Sequence, residues 1–149
     1  MINILISDPY LDLVPSDKLE QAAMAALEQQ TADLNQDLTI AIEDDDRLHA
    51  LNKEFLHIDS PTDVLSFPAG EGEIDPETGV AYLGDIIISY PRALEQSATA
   101  GHPVMNEIQL LVVHGVLHLL GHDHADPDEQ AEMWAAQREA LLTLGIVKP

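Results

Sequence analysis

The sequence predicts a single α+β domain over residues 1–149, with a four-stranded sheet and about five helices. Its length is that of one ordinary domain, and its hydrophobic share of 46% is enough for one continuous core. Short β-rich runs occur among longer stretches in which apolar residues recur at helical spacing. Prolines, glycines and acidic residues separate these segments, which predicts compact turns between them.

Four runs of apolar and β-branched residues predict the strands, and they cover residues 2–6, 38–42, 64–67 and 83–89. Pro68 and Gly70 end the third run. The acidic stretch 71–79, which contains glycine and proline, predicts a flexible loop before the fourth. The three consecutive isoleucines at 86–88 are dense enough to predict that the fourth strand is buried.

Each predicted helix has a recognisable start signal: Ser16 as an N-cap, the carboxylates of residues 44–46, Pro91, Pro103, and Asp126 followed by Pro127. The helix from Pro103 to Leu120 is apolar almost all round, so it is predicted to be the central core element. Gly121 follows at the position where a left-handed residue commonly ends a helix. The last helix is predicted to bury Trp134 in the core.

Composition narrows the function classes. The chain has no cysteine, which excludes disulfides and thiolate metal sites. Its net charge of −21 predicts a solvated surface that repels a phosphate backbone at long range, so a nucleic acid would need local contacts, a metal or a partner. The first residues lack the basic segment and cleavage site of a signal peptide, and the apolar stretch 108–120 is too short to span a bilayer. We therefore expect a soluble, cytoplasmic protein without a membrane partner.

Three histidines lie at the end of the predicted core helix, in the segment HGVLHLLGHDH over residues 114–124. His114 and His118 are four residues apart, so both rings project from one face of the helix. Gly121 lets the chain turn back, which can bring His124 to the same point. Three imidazole nitrogens suit one zinc ion with a fourth position open, as in catalytic sites. The alternative, that these are ordinary core or surface histidines, would bury unpaired imidazoles at a cost.

The histidines and the glycine match the metzincin pattern H-E-x-x-H-x-x-G-x-x-H, with one departure. The glutamate that acts as general base in those metalloproteases is Gly115 here. A peptidase or another zinc hydrolase remains one alternative function, although proteolysis would lack its usual proton acceptor.

Three blocks in this order resemble the YbeY-type bacterial endoribonucleases, which are implicated in ribosomal RNA maturation. The blocks are PTDVLSF at residues 61–67, LGDI at residues 83–86, and the histidine segment, and the resemblance runs from about Leu38 to the end. It implies a small mixed sheet packed with helices and a zinc ion on His114, His118 and His124. It also implies cleavage of single-stranded RNA in ribosomal RNA precursors, with the ribosome or its proteins as partners.

The expected mechanism is metal-assisted hydrolysis, in which zinc activates water or polarises a phosphoryl oxygen, or in which the ribose 2′-hydroxyl attacks. Asp85 and Asp123 are the candidate catalytic carboxylates. Each has a structural alternative, Asp85 as a polar residue on a sheet face and Asp123 as a turn residue. The family's usual arginine after an aromatic residue is Leu56 here, after Phe55. That departure keeps open a second alternative, a zinc-bearing scaffold for ribosome assembly. The sequence does not define an oligomeric state.

Overall fold

The part of the chain that the structure describes contains four strands and five α-helices, as the sequence predicts. The structure is a computed structural model, and it describes residues 1–70 and 74–147. The strands are β1 (Ile2–Ile6), β2 (Asp37–Glu43), β3 (Val64–Pro68) and β4 (Tyr82–Ser89). The helices are α1 (Ser16–Gln29), α2 (Asp45–Leu56), α3 (Tyr90–Ala100), α4 (Val104–Leu119) and α5 (Pro127–Thr143), and a short 3₁₀ turn covers Asp8–Tyr10.

The strands form one mixed sheet in the order β1-β2-β4-β3. β1 and β2 run parallel, as do β2 and β4, whereas β3 pairs antiparallel with β4. This confirms the α+β class and the mixed sheet. β1 and β3 therefore lie at the two edges of the sheet.

Helix α4 is the central core element, as predicted from its apolar sequence. Ile108, Val112, Val116 and Leu117 are fully buried in the main core, together with Ile86 and other β4 residues. A second, smaller cluster lies around α2 and consists of Leu48, Leu51, Leu65, Phe67 and Ile87. Since neighbouring strand residues point to opposite faces, α4 and α2 cover opposite faces of the sheet.

Two glycines permit the close packing of α4 on the sheet. Gly84 has a φ of 142°, and a Cβ there would overlap the carbonyl oxygen of Phe67 and lie 2.9 Å from Leu119 Cδ2. A Cβ on Gly115 would lie 2.8 Å from Ile86 Cγ2. Position 115 therefore faces the sheet, and no side chain fits there without displacing Ile86.

Most of the predicted helix starts are confirmed. The side chain of Asp44 accepts a hydrogen bond from the Arg47 amide at 2.7 Å, and Asp126 caps α5 in the same way. Ser16 differs from the prediction, because it is the first helical residue and its side chain makes no capping hydrogen bond. The predicted loop 71–79 lies partly outside the described residues, since 71–73 are not described.

The prediction that Trp134 lies in the core is wrong. Its relative exposure is 38%, and α5 instead buries Met133, Ala136, Ala140 and Leu141. Alanines are spread around this helix, so its sequence does not single out one apolar face. No helix in the described ranges is long and apolar enough to cross a bilayer.

Candidate functional site

The three predicted histidines meet at the C-terminal end of α4. His114 and His118 lie one turn apart on this helix. The Gly121 amide then bonds to the His118 carbonyl and the His122 amide to the Leu117 carbonyl, both at 3.0 Å, which reverses the chain. Gly121 has a φ of 101°, which only glycine adopts without strain. The turn brings His124 back beside the two helical histidines.

The spacing of the ring nitrogens suits a shared metal ion. The Nε2 atoms of His114 and His118 are 3.1 Å apart, and one nitrogen from each of the three rings lies within 4.8 Å of the others. Two nitrogens bound tetrahedrally to one zinc ion at ~2.0–2.1 Å would lie ~3.3 Å apart. A hydrogen bond between His114 and His118 would by itself explain the distance between their Nε2 atoms. It would not explain why a nitrogen of His124 also lies close to both, so the three rings fit a metal ion with three protein ligands.

A residue that the sequence did not predict orients the ring of His114. The side-chain oxygen of Gln137, on α5, lies 3.0 Å from Nδ1 of His114. A Gln carbonyl oxygen can only accept, so Nδ1 carries the proton and donates it. Nε2 of His114 is then the unprotonated nitrogen that faces the other two rings. Histidine ligands are commonly fixed in this way by a hydrogen bond to the opposite ring nitrogen.

Burial favours the neutral, metal-binding form of the two helical histidines. Desolvation lowers the pKa of His114, and the hydrogen bond to Gln137 opposes this only in part. Desolvation also lowers the pKa of His118, reinforced by the nearby ring of His124 and opposed by the His122 backbone and by Asp123. Because a metal competes with the proton for the same nitrogen, a lowered pKa leaves the ligands available at neutral pH.

The ring of Trp134 lies beside the histidine cluster. Its ring centroid lies 5.7 Å from that of His114 and 6.1 Å from that of His124. Trp134 and Gln137 are three residues apart on α5, so both reach the cluster from one face of that helix. Helix α5 thus contributes to the site although it supplies no ligand.

The histidines form one wall of a cleft of about 560 Å³. The opposite wall is formed by β3 and the segment before it, which contribute Thr62, Asp63, Ser66 and Pro68, and Leu56 from the end of α2 also lines the cleft. Among the described residues, no lysine or arginine lines it. At position 56, the cleft is therefore lined by an apolar side chain and not by a cationic one.

The two predicted catalytic carboxylates lie in different places. Asp123 lines the histidine cleft, and its side chain accepts a hydrogen bond from the His124 amide at 2.7 Å, which is the geometry of a turn residue. Asp85 lies on the α2 face of the sheet, accepts a hydrogen bond from Tyr82, and lines a separate cavity with Phe55 and Phe67. The residues on either side of Asp85 in β4 face α4, so Asp85 faces away from α4. The structure therefore does not bring Asp85 to the histidines.

Asp63 is a further carboxylate in the cleft. It accepts hydrogen bonds from the Val64 amide at 2.8 Å and from the Gln96 side chain at 3.2 Å. It therefore organises the turn before β3. Both cleft carboxylates, Asp63 and Asp123, are held by backbone amides, and their positions are set by the turns that contain them.

The fold and the site together define a class of protein: a small α+β domain in which three histidines at a helix end could hold one metal ion in an open cleft. A family model described as Endoribonuclease YbeY matches residues 11–145. The chain belongs to the YbeY endoribonuclease family. The match begins well before Leu38, so the family relationship covers more of the chain than its three sequence blocks indicated.

Individual relatives agree with this assignment. The chain is 39% identical over 149 residues to a Roseiflexus protein named Endoribonuclease YbeY, covering 97% of this chain and 93% of the relative. It is 38% identical over 144 residues to the protein of that name from Agathobacter rectalis, with 87% of each covered. The solution structure of TM1509 from Thermotoga maritima matches with a TM-score of 0.62 and 24% identity over 97% of this chain, which supports the fold.

Proposed function

We propose that the protein is a metal-dependent endoribonuclease that cleaves single-stranded RNA in ribosomal RNA precursors, in the cytoplasm and in association with the ribosome. The observation that carries the proposal is the three-histidine cluster in an open cleft, within a family whose members are named endoribonucleases. We further propose one zinc ion as the native metal, since three neutral nitrogens without thiolate or carboxylate suit zinc.

The protein's own residues prepare the cleft for phosphodiester chemistry. His114, His118 and His124 would hold the metal, and Gln137 keeps His114 in the tautomer whose Nε2 is available. When bound, the metal supplies positive charge to stabilise the oxyanion that develops at phosphorus. That charge matters here because the described lining of the cleft contains no other fixed cation. Asp123 fixes the turn that carries His124, and we assign it a positioning role.

The nucleophile is either water or the neighbouring ribose 2′-hydroxyl. In both reactions the nucleophile loses a proton as the new P–O bond forms, and the leaving oxygen gains a proton as its bond to phosphorus breaks. The products differ, because attack by the 2′-hydroxyl leaves a 2′,3′-cyclic phosphate whereas attack by water leaves a linear phosphate end. Analysis of the product ends therefore separates the two mechanisms.

A peptidase function has less support from the structure. Gly115 faces Ile86 rather than the cleft, so this position cannot carry the general base of the metzincins. Peptidases of that kind would also need an extended substrate to pair with a strand beside the metal. The neighbouring edge strand β3 is poorly suited to this, because Pro68 has no amide hydrogen and the Val64 amide is already bonded to Asp63.

The alternative of a zinc-bearing scaffold rests on one specific observation. Leu56 occupies the position of the family's usual arginine and lines the cleft, so a charge that would stabilise the transition state is missing. The scaffold alternative predicts metal binding without RNA cleavage, whereas the nuclease predicts both.

The test is cleavage of a structured ribosomal RNA fragment by the zinc-loaded protein. Chelator-treated protein and His114→Ala serve as negative controls, and an unstructured peptide tests the peptidase alternative. Cleavage of RNA alone, lost in both controls, supports the proposal. Absence of RNA cleavage by protein with confirmed bound metal would contradict it and favour the scaffold.

A further inference from the structure

Among the described residues, the backbone of β3 has one amide on its open edge that makes no hydrogen bond. The Ser89 amide bonds to the Asp63 carbonyl and the Ala69 amide to the Leu83 carbonyl, so residues 63, 65, 67 and 69 form the hydrogen-bonded pairs with β4. Val64, Ser66 and Pro68 alternate with them, and their backbone groups point towards the open edge of the sheet.

Only one of these three outward positions keeps a free donor. The Val64 amide is bonded to the Asp63 side chain at 2.8 Å, and proline has no amide hydrogen. Within residues 1–70 and 74–147, no group is within hydrogen-bonding distance of the Ser66 amide on this side or of its hydroxyl. Ser66 therefore offers two unused donors, N–H and Oγ–H, from a single residue.

Ser66 lines the histidine cleft, and its side chain lies on the face of the sheet that packs against α4. Val64 packs against the α4 core, whereas Leu65 and Phe67 belong to the α2 cluster on the other face. Strand alternation places the Ser66 side chain on the α4 face with Val64, and Ser66 lines the cleft opposite the histidines.

Two other neutral side chains in the cleft are already engaged in hydrogen bonds. The Thr62 hydroxyl bonds to Asp63 at 3.4 Å, and the His122 ring lies 2.6 Å from the side-chain oxygen of Gln30. With no lysine or arginine in the described lining, an anionic substrate has few protein groups to bind. A hydroxyl and an amide donor on one residue are suited to binding the oxygens of a phosphate.

We propose that Ser66 is a phosphate-binding residue, whose amide and hydroxyl donate two hydrogen bonds to a backbone phosphate of RNA held across the cleft from the histidines. This inference rests on the proposed ribonuclease function and extends it to a specific substrate contact. Ser66 binds the substrate in the ground state and the transition state alike, so its loss raises KM and leaves kcat little changed.

The kinetic test compares Ser66→Ala with Ser66→Pro in the zinc-loaded protein. Removing the hydroxyl is expected to raise KM for single-stranded RNA about tenfold, as for one hydrogen bond to a charged oxygen. Proline also removes the outward amide without breaking a bond to β4, and it is expected to raise KM about tenfold more. Ser16→Ala, at an exposed serine at the start of α1, is the matched control and leaves KM unchanged.

A spectroscopic test measures the proposed contact between the Ser66 amide and phosphate in the protein without substitutions. Inorganic phosphate is titrated into the zinc-loaded, ¹⁵N-labelled protein, and the Ser66 amide proton is expected to move downfield at saturation. The amides of Leu65 and Phe67 point towards β4 and are the internal controls, with much smaller shifts expected.

Failure of the phosphate-binding proposal and failure of the ribonuclease proposal would give different results. RNA cleavage with an unchanged KM in both Ser66 variants and an unmoved Ser66 amide would overturn the phosphate-binding role and leave the ribonuclease proposal intact. A Ser66 amide that responds to phosphate in a protein that cleaves no RNA would overturn the ribonuclease proposal and retain the phosphate subsite.

Discussion

Replacement of Gln137 tests whether its hydrogen bond to His114 raises the affinity of the proposed site for metal. Gln137→Met keeps much of the side-chain volume but removes the oxygen that accepts the Nδ1 proton at 3.0 Å. His114 is then free to adopt the other tautomer, in which Nε2 carries a proton and cannot bind metal. Loss of such an outer hydrogen bond typically lowers metal affinity ~10–100-fold, or about 1.4–2.7 kcal/mol of binding free energy.

The assay is competition for zinc between the protein and a chromophoric chelator, with the visible spectrum of the cobalt form as a report of ligand geometry. Gln137→Glu retains an acceptor and is expected to keep wild-type affinity or exceed it. Gln130→Met, at an exposed glutamine on the same helix, controls for general effects on α5. Equal zinc affinity in Gln137→Met and the wild type, with an unchanged cobalt spectrum, would show that Gln137 does not keep His114 in its metal-binding tautomer.

Three further predictions concern stability and activity. Gly84→Ala is expected to destabilise the protein by about 2–5 kcal/mol in denaturant unfolding, because a Cβ would overlap the Phe67 carbonyl at a positive φ; unchanged stability would contradict this. Leu56→Arg is expected to raise kcat for RNA at least about tenfold, since it places a cation in the cleft; an equal or lower kcat would show that the position does not reach the reacting phosphate.

The third concerns pH. The hydrogen bond from Arg92 lowers the pKa of Asp45 below its ordinary value of 3.8, so the stabilisation is present above that value and is lost as pH falls through the lower folded pKa. Arg92→Met should therefore cost roughly 0.5–1 kcal/mol at neutral pH, a small value because both side chains are about one-third exposed, and little in acid. A cost independent of pH would contradict the assignment.

The parts of the site that depend on local sequence could be predicted. His114 and His118 are one helical turn apart, and Gly121 provides the turn that returns His124, so the spacing alone defines the cluster. The helix caps at Asp44 and Asp126 are local in the same sense. Local hydrogen bonds leave a residue pattern that can be recognised without knowledge of the tertiary fold.

The parts that depend on packing between distant elements could not be predicted. Gln137 and Trp134 reach the histidines because α5 packs against α4, and neither residue belongs to a local motif. Asp85 was predicted as a candidate from its position in a sequence block, but the direction of a strand residue depends on which face its neighbours bury. With Ile86 against α4, Asp85 must face the other way.

The hydrogen-bonding state of Ser66 also could not be predicted from the sequence. Whether a strand amide is paired depends on the register and on the strand order, and here it requires that β3 lie at the edge of the sheet. The sequence predicts that residues 64–67 form a strand but leaves its neighbours undetermined. The serine is therefore recognisable as a candidate ligand for phosphate only after the sheet has been assembled.

We propose that one metal ion held by His114, His118 and His124 enables this cleft to cleave RNA. The most direct measurement is the rate of RNA cleavage by chelator-treated protein as zinc is added back in known amounts. We expect no cleavage without metal and a rate that reaches its plateau at about one zinc per chain. In the His118→Ala variant, added zinc is expected not to restore cleavage. Full cleavage without metal, or equal restoration in the His118→Ala variant, would contradict it.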